Sequence, residues 1–178
     1  MQRQIALLRG INLGGRRRIA MADLRYVVEA RGYGDVRTHL QSGNVVLSTD
    51  APPAAVERDL EHAIREALRV DTRVLVRTRD ELAGIVARNP LADVADDPRR
   101  YQVNFLAEEP DPRRVDELAA QALGPERFAI DGRELYAWHP NGVQRSVLAK
   151  FVADGRLGVV ATARNWSTVT RLLELADA

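Results

Sequence analysis

The 178-residue chain contains no cysteine. Disulfides, thiolate nucleophiles, zinc–cysteine sites and cysteine-ligated iron–sulfur clusters are therefore excluded. The three histidines, His39, His62 and His139, are far apart in the sequence and show no metal-ligand spacing. A metal ion held by carboxylates alone stays open, but no pattern supports one, so we expect no metal ion and no other cofactor.

Long apolar runs are also missing. The apolar run at residues 5–8 is too short for the core of a signal peptide or for a membrane span, so we expect a cytoplasmic protein with no membrane partner. A net charge of +1 provides no overall basic field for nucleic acid. With 46% hydrophobic and 29% charged residues, the composition is typical of a soluble globular protein.

The first half of the chain has the pattern of a βαββαβ unit. Residues 4–9 are apolar on both faces, as in a buried strand, and the turn at Ser42-Gly43 lies between two strand-like segments. Val36, Thr38 and Leu40 alternate with polar residues, so this strand should be half exposed. Two helices and a final strand at residues 73–77 complete the ferredoxin-like arrangement. The helices are predicted from the spacing of Met21, Leu24, Val27 and Val28, and of Val56, Leu60, Ile64 and Leu68.

The second half repeats this order less regularly, as βαββα. Asp131-Gly132 lies between two strand patterns and is a strong hairpin signal. A short last strand is predicted within residues 157–161, before the C-terminal helix. An earlier helix should turn its apolar residues inward: Val115, Leu118, Ala119 and Ala122.

We therefore predict an α+β fold of two ferredoxin-like-related subdomains packed together. The boundaries are residues 1–78 for the first subdomain, 79–99 for a helix and connection, and 100–178 for the second. The Asn89-Pro90 dipeptide and the stretch before Pro98 have the composition of a connection between domains.

The glycine–arginine loop, residues 10–18, follows the first strand and contains Arg16, Arg17 and Arg18. Glycine-rich turns can direct backbone N–H groups at an anion, and guanidinium groups would add to such a site. Gly10 and Gly15 have the spacing of a P-loop, but Lys and Ser or Thr do not follow them. A Rossmann fingerprint is absent as well. A looser anion site and a simple solvated turn both remain open.

An RNA-binding sheet is disfavoured. Such sheets stack bases on aromatic side chains of the central strands, but residues 4–9 and 44–48 contain no aromatic residue. The unbroken apolar run at residues 5–8 also predicts that both faces of the first strand are covered.

A second polar cluster lies near the C-terminus. If Thr162 is an N-cap, Arg164, Asn165 and Trp166 would gather at the positive end of a helix and could bind an anion. The alternative is that Trp166 fills the core. Ser146 and Lys150 would share a helix face, but their spacing is not that of the Ser–Lys hydrolases. His139 has no serine or carboxylate tied to it by spacing, so no acid–base chemistry is assigned.

The sequence resembles a bacterial family known as domain of unknown function 1697. The resemblance rests on residues 6–15, 21–24 and 41–45, on Pro140-Asn141-Gly142 with Arg145-Ser146, and on residues 162–169. The resemblance implies the same fold of two subdomains. It implies no activity, ligand or catalytic residue for this chain, because none is established for the family. The family often has lysine where this chain has Val147, and lysine or other polar residues at positions 16–18.

We expect a binding module for a phosphate-bearing ligand, either a nucleotide or a nucleic acid, in a cleft between the subdomains. An enzyme acting on small molecules and a protein–protein adaptor are the alternatives. No catalytic residue is assigned. The candidate ligand-binding residues are Arg9, Asn12, Gly14, Gly15, Arg16, Ser42, Asn44, Arg145, Ser146, Arg164, Asn165 and Trp166.

Overall fold

A computed structural model describes all 178 residues. The chain divides into two compact units. Unit 1 comprises residues 1–84 and 171–178, and unit 2 comprises residues 85–170. Each unit contains one four-stranded antiparallel sheet with helices, so the predicted α+β class is confirmed. None of the helices combines the length and apolar composition needed to cross a bilayer.

Unit 1 has the predicted βαββαβ order. Its elements are β1 (Gln2–Leu8), α1 (Met21–Ala30), β2 (Gly34–His39), β3 (Asn44–Thr49), α2 (Pro53–Leu68) and β4 (Val74–Thr78). A third helix, α3 (Arg79–Arg88), follows the last strand and belongs to unit 2 from Ile85 onward. The sheet has the strand order β2-β3-β1-β4, in which every neighbouring pair is antiparallel, as in the ferredoxin-like arrangement.

Strand β1 is buried on both faces, as predicted. Ala6 and Leu8 belong to a core cluster that includes Leu24 of α1 and Leu60 of α2. Because side chains alternate along a strand, the neighbouring residues of β1 lie on the other face, and they are buried as well. Neither face of this central strand is open to stack bases.

Leu40 departs from the predicted alternation. Strand β2 ends at His39, and Leu40 adopts a left-handed backbone with φ of 58°. This conformation interrupts the alternation of the strand. The side chain of Leu40 is therefore exposed, whereas the alternation would have placed it on the same face as Val36. The hairpin from β2 to β3 through Ser42 and Gly43 is confirmed.

Unit 2 is more regular than the sequence predicted. Its elements are β5 (Tyr101–Leu106), α4 (Pro112–Ala119), β6 (Arg127–Asp131), β7 (Glu134–Trp138), a 3-10 helix (Val143–Arg145), α5 (Val147–Ala153) and β8 (Ala161–Asn165). They are followed by α6 (Trp166–Asp177), which belongs to unit 1 from Arg171 onward. The sheet has the order β6-β7-β5-β8, so the order of the elements up to β8 is βαββαβ. The hairpin at Asp131-Gly132 is confirmed.

Two details of unit 2 were predicted wrongly. The last strand was expected within residues 157–161, but Gly158 has a positive φ in the turn, and pairing with β5 begins only at Ala161. Helix α4 ends at Ala119, so Ala119 and Ala122 are exposed. Leu118 lies in the core as predicted, and Leu123 packs against that core where the two alanines were expected.

The two sheets share their pairing register. In unit 1, Gln4 pairs with Thr78 and Ile5 with Arg77. The corresponding pairs in unit 2 are Gln102 with Asn165 and Val103 with Arg164. A glutamine on the first strand and a buried arginine on the last thus recur at matching positions, although the sequence had shown only a repeat of element order.

Candidate functional site

The glycine–arginine loop of unit 1 is closed by a single side chain. Asn12 has a left-handed backbone with φ of 55°, and its N–H donates to the carbonyl of Arg17 at 2.8 Å. Its side-chain amide donates to the carbonyl of Ile19 at 2.9 Å, and its Oδ1 accepts the N–H of Ile19 at 2.9 Å. These bonds fix both ends of the loop.

The same side chain joins the loop to the β2–β3 turn. Nδ2 of Asn12 also donates to the carbonyl of Gln41 at 2.7 Å. Within that turn, Nδ2 of Asn44 donates to the carbonyl of His39 at 2.7 Å and to Oγ of Ser42 at 3.0 Å. The predicted residues Asn12, Ser42 and Asn44 therefore lie in two adjoining turns, and these bonds give them a positioning role.

Arg9 anchors the base of the loop through its backbone. Its N–H donates to the carbonyl of Arg73 at 2.9 Å, and its carbonyl accepts from Oγ1 of Thr72 at 2.8 Å. The loop therefore leaves the sheet in one fixed direction.

The three loop arginines are exposed and form no ion pair. Other arginines of unit 1 do have carboxylate partners: Arg65 with Asp71 at 2.9 Å and Arg73 with Glu61 at 2.9 Å. Residues 1–22 contain no aspartate or glutamate. The guanidinium groups of Arg16, Arg17 and Arg18 are therefore available to an external anion.

A shallow cavity of about 360 Å³ lies on this loop. Gly10 and Gly14 of the loop have φ of 65° and 86°, backbone conformations that favour glycine. Helix α1 begins at Met21, so its N-terminal N–H groups lie beyond the loop. The cavity is lined by Gly10, Leu13, Gly15, Arg16 and Arg17.

The candidates near the C-terminus are placed differently from the prediction. Thr162 is not an N-cap, because it pairs with Phe105 inside strand β8. Arg164 lies in the same strand, and its Nη1 donates to Oγ1 of Thr162 and to the carbonyl of Ala163, both at 2.8 Å. Burial lowers the pKa of Arg164 to about 10, which remains well above neutrality.

Asn165 and Trp166 have partners within unit 2. Oδ1 of Asn165 accepts from Nε2 of Gln102 at 3.1 Å. The indole of Trp166, the first residue of α6, stacks on Tyr101 with ring centroids 4.8 Å apart. Burial raises the pKa of Tyr101 to about 12. Trp166 is half buried, between the two environments considered from the sequence.

Ser146 and His139 form a buried pair that the sequence did not reveal. Nδ1 of His139 lies 2.8 Å from Oγ of Ser146, and the same Oγ accepts the N–H of Ala149 at 2.8 Å as the N-cap of α5. His139 is 1% exposed and Ser146 is 5% exposed. Burial lowers the pKa of His139, and the nearby carboxylate of Glu126 opposes this shift.

The remaining groups near α5 do not complete a catalytic set. The carboxylate of Glu126 accepts the N–H groups of Val147 and Leu148 at 3.1 and 2.9 Å, a contact for which the sequence carried no signal. Lys150 donates to Asp154 at 2.7 Å and is exposed, whereas Ser146 is buried. Arg145 is exposed. No group of three or more histidine, aspartate and glutamate side chains is placed to hold a metal ion.

The fold and its loops define an α+β protein of two ferredoxin-like units. Residues 1–136 match the family described as "Protein of unknown function (DUF1697)", and the chain belongs to this family. The resemblance seen in the sequence is thereby confirmed, although the motifs at residues 140–146 and 162–169 lie beyond the matched region.

Among solved structures, the chain is similar to the conserved bacterial protein SP0830 from Streptococcus pneumoniae. The TM-score is 0.78 at 20% sequence identity, and the alignment covers 98% of each chain. At this identity the similarity shows the shared fold alone. No curated protein matches the chain.

Proposed function

We propose that this protein binds a phosphate-bearing ligand through the glycine–arginine loop of unit 1. The observation that carries the proposal is the set of three unpaired guanidinium groups on a loop that Asn12 holds closed. A nucleotide and a nucleic acid are the ligands that the sequence predicted.

The chemistry of arginine supports phosphate as the ligand group. A guanidinium offers parallel N–H donors that match two phosphate oxygens, and such charge-assisted bonds are stronger than neutral ones. Arg16 and Arg17 line one cavity, so two guanidinium groups can approach a single phosphate. Since neither is in an ion pair, binding breaks no existing salt bridge.

Preorganisation adds to this argument. The closing bonds of Asn12 restrict the loop before any ligand arrives, which reduces the ordering cost of binding. In this proposal Asn12, Ser42 and Asn44 position the loop, and Arg16 and Arg17 contact the phosphate.

The test is titration with pyrophosphate, ATP and a short oligonucleotide at low and moderate salt. We expect the Arg16→Ala/Arg17→Ala variant to bind each ligand at least about tenfold more weakly, because it loses two charge-assisted contacts. Arg58→Ala/Arg113→Ala is the matched control, since both side chains are exposed, lie in no ion pair and give the same change in charge. Equal weakening in both variants, or no weakening in the first, would contradict the proposal.

The candidates in unit 2 need a separate test. Arg145 is the suitable position, because it is exposed whereas Arg164 is buried. If the C-terminal motif contributes to the same ligand, Arg145→Ala will weaken pyrophosphate binding. Unchanged binding would restrict the site to the loop of unit 1.

A further inference from the structure

Two leucines of unit 1 are exposed on adjoining turns. Leu13 is 83% exposed and Leu40 is 55% exposed, in a chain with few large hydrophobic residues at its surface. Their neighbours Asn12 and Gln41 are joined by the 2.7 Å hydrogen bond between the loop and the β2–β3 turn. The bond therefore brings the two leucine-bearing turns together.

The backbone at Leu40 is unusual. Leu40 has φ of 58°, a left-handed conformation that is strained for leucine. Strand alternation would have turned the Leu40 side chain toward the core. Backbone strain of this kind concentrates at functional sites. An exposed leucine in a strained conformation therefore supports a role in binding a partner.

The two segments that carry these leucines contain no acidic residue. Residues 1–22 and 36–49 contain no aspartate or glutamate, although the whole chain is nearly neutral. Leu13 and Leu40, together with Arg16, Arg17 and Arg18, form what we call the tip surface. This surface combines exposed apolar side chains with unpaired positive charge.

We propose that the tip surface docks unit 1 onto an anionic phospholipid surface. The leucines enter the interfacial region of the bilayer, and the arginines contact the headgroup phosphates. The inference rests on the proposed function, because the lipid headgroup is here the source of the phosphate. The sequence predicted no membrane partner because it lacks a spanning segment, but contact at the surface requires none.

Lipid fits the tip surface better than nucleic acid does. Proteins that bind single strands stack bases on aromatic side chains, and residues 1–22 and 36–49 contain no aromatic residue. Exposed leucines gain little from a phosphate backbone, but they gain from leaving water at a bilayer. The arginines in turn favour an anionic bilayer over a neutral one.

The experiment is co-sedimentation of the full chain with lipid vesicles. Phosphatidylcholine vesicles are compared with vesicles that also contain phosphatidylglycerol, and pyrophosphate binding is measured in parallel. We expect wild-type protein to sediment with the anionic vesicles only. Leu13→Ser/Leu40→Ser should lower the partition by about tenfold or more. Leu40→Ser alone should also lower the partition while leaving pyrophosphate binding unchanged, because Leu40 does not line the cavity of the loop. Arg16→Ala/Arg17→Ala should lose both.

Val94→Ser/Val147→Ser is the matched control, since it removes two exposed apolar side chains elsewhere, and it should sediment like wild type. Failure of wild-type protein to sediment with anionic vesicles would overturn the inference, and retained pyrophosphate binding would leave the proposed function standing. The inference would also be overturned if Leu13→Ser/Leu40→Ser sedimented with anionic vesicles as well as wild-type protein does. Loss of oligonucleotide binding in that variant would identify nucleic acid as the occupant and overturn the lipid assignment.

Discussion

The side-chain amide of Asn12 donates to the main-chain carbonyl of Gln41 across 2.7 Å. The same side chain also bonds to both backbone groups of Ile19, so one residue closes the glycine–arginine loop and joins it to the β2–β3 turn. Two of the motifs that carried the family resemblance, residues 6–15 and 41–45, thus meet in one hydrogen-bonded structure. This structure presents the exposed arginines to solvent in a defined loop.

Replacement of Asn12 by alanine should therefore destabilise the protein and loosen the loop. We expect the free energy of unfolding to fall by about 1–3 kcal/mol, because several partly buried hydrogen bonds are lost together. Pyrophosphate binding should weaken as well. Gln41→Ala is the control in urea denaturation, since only the backbone carbonyl of Gln41 accepts the bond. A stable Asn12→Ala variant with normal binding would show that the loop needs no closure.

Two glycines with similar backbones allow packing to be separated from backbone strain. Gly43 and Gly14 have φ of 81° and 86°. A Cβ on Gly43 would lie 2.7 Å from Ile11 and 2.8 Å from Leu8, whereas a Cβ on Gly14 would have no neighbouring atom within 4 Å. Gly14→Ala should cost about 1–2 kcal/mol from strain alone. Gly43→Ala should cost about 1–3 kcal/mol more, from overpacking. Similar melting temperatures for the two variants would contradict the close packing of the β2–β3 turn.

The buried His139 should make stability depend on pH. Burial holds its folded pKa below the ordinary value of 6.5, so between the two pKa values the unfolded chain binds more protons than the folded one. The contribution of His139 is therefore complete above the unfolded pKa and is lost as the pH falls toward the folded one. His139→Gln should flatten the fall in melting temperature below about pH 6.5. An unchanged slope in His139→Gln would contradict the buried neutral imidazole.

Ser146 should act as a structural cap. Ser146→Ala should lower the free energy of unfolding by about 1–2 kcal/mol, because α5 loses its N-cap and Nδ1 of His139 loses its partner. In a double-mutant cycle with His139→Gln the two losses should be less than additive. Pyrophosphate binding should not change. The exposed Ser167→Ala serves as a control, and additive losses would indicate that the pair does not interact.

Local patterns predicted most of the fold. The Asp131-Gly132 turn, the hairpin at Ser42-Gly43 and the helical spacing of Leu24 with Val28 each depend on residues close in the sequence. Because these signals act within a few residues, they can be recognised without knowledge of the tertiary structure. The βαββαβ order of unit 1 followed from them.

The errors arose where tertiary pairing or backbone conformation overrode the local signal. Thr162 has the chemistry of an N-cap, but pairing with β5 draws it and Arg164 into strand β8. Leu40 fits a strand period that the left-handed backbone interrupts. The pairing of His139 with Ser146, and of Asn12 with Gln41, depends on folded proximity that no spacing rule supplies.

Phosphate binding by the loop is tested most directly by the backbone amide NMR spectrum of the protein during titration with pyrophosphate. We expect the largest chemical-shift changes on the glycine–arginine loop, above all at Gly14, Gly15 and Arg16, and we expect these changes to disappear in Arg16→Ala/Arg17→Ala. Changes confined to residues outside the loop, or the same changes in that variant, would contradict phosphate binding by the loop.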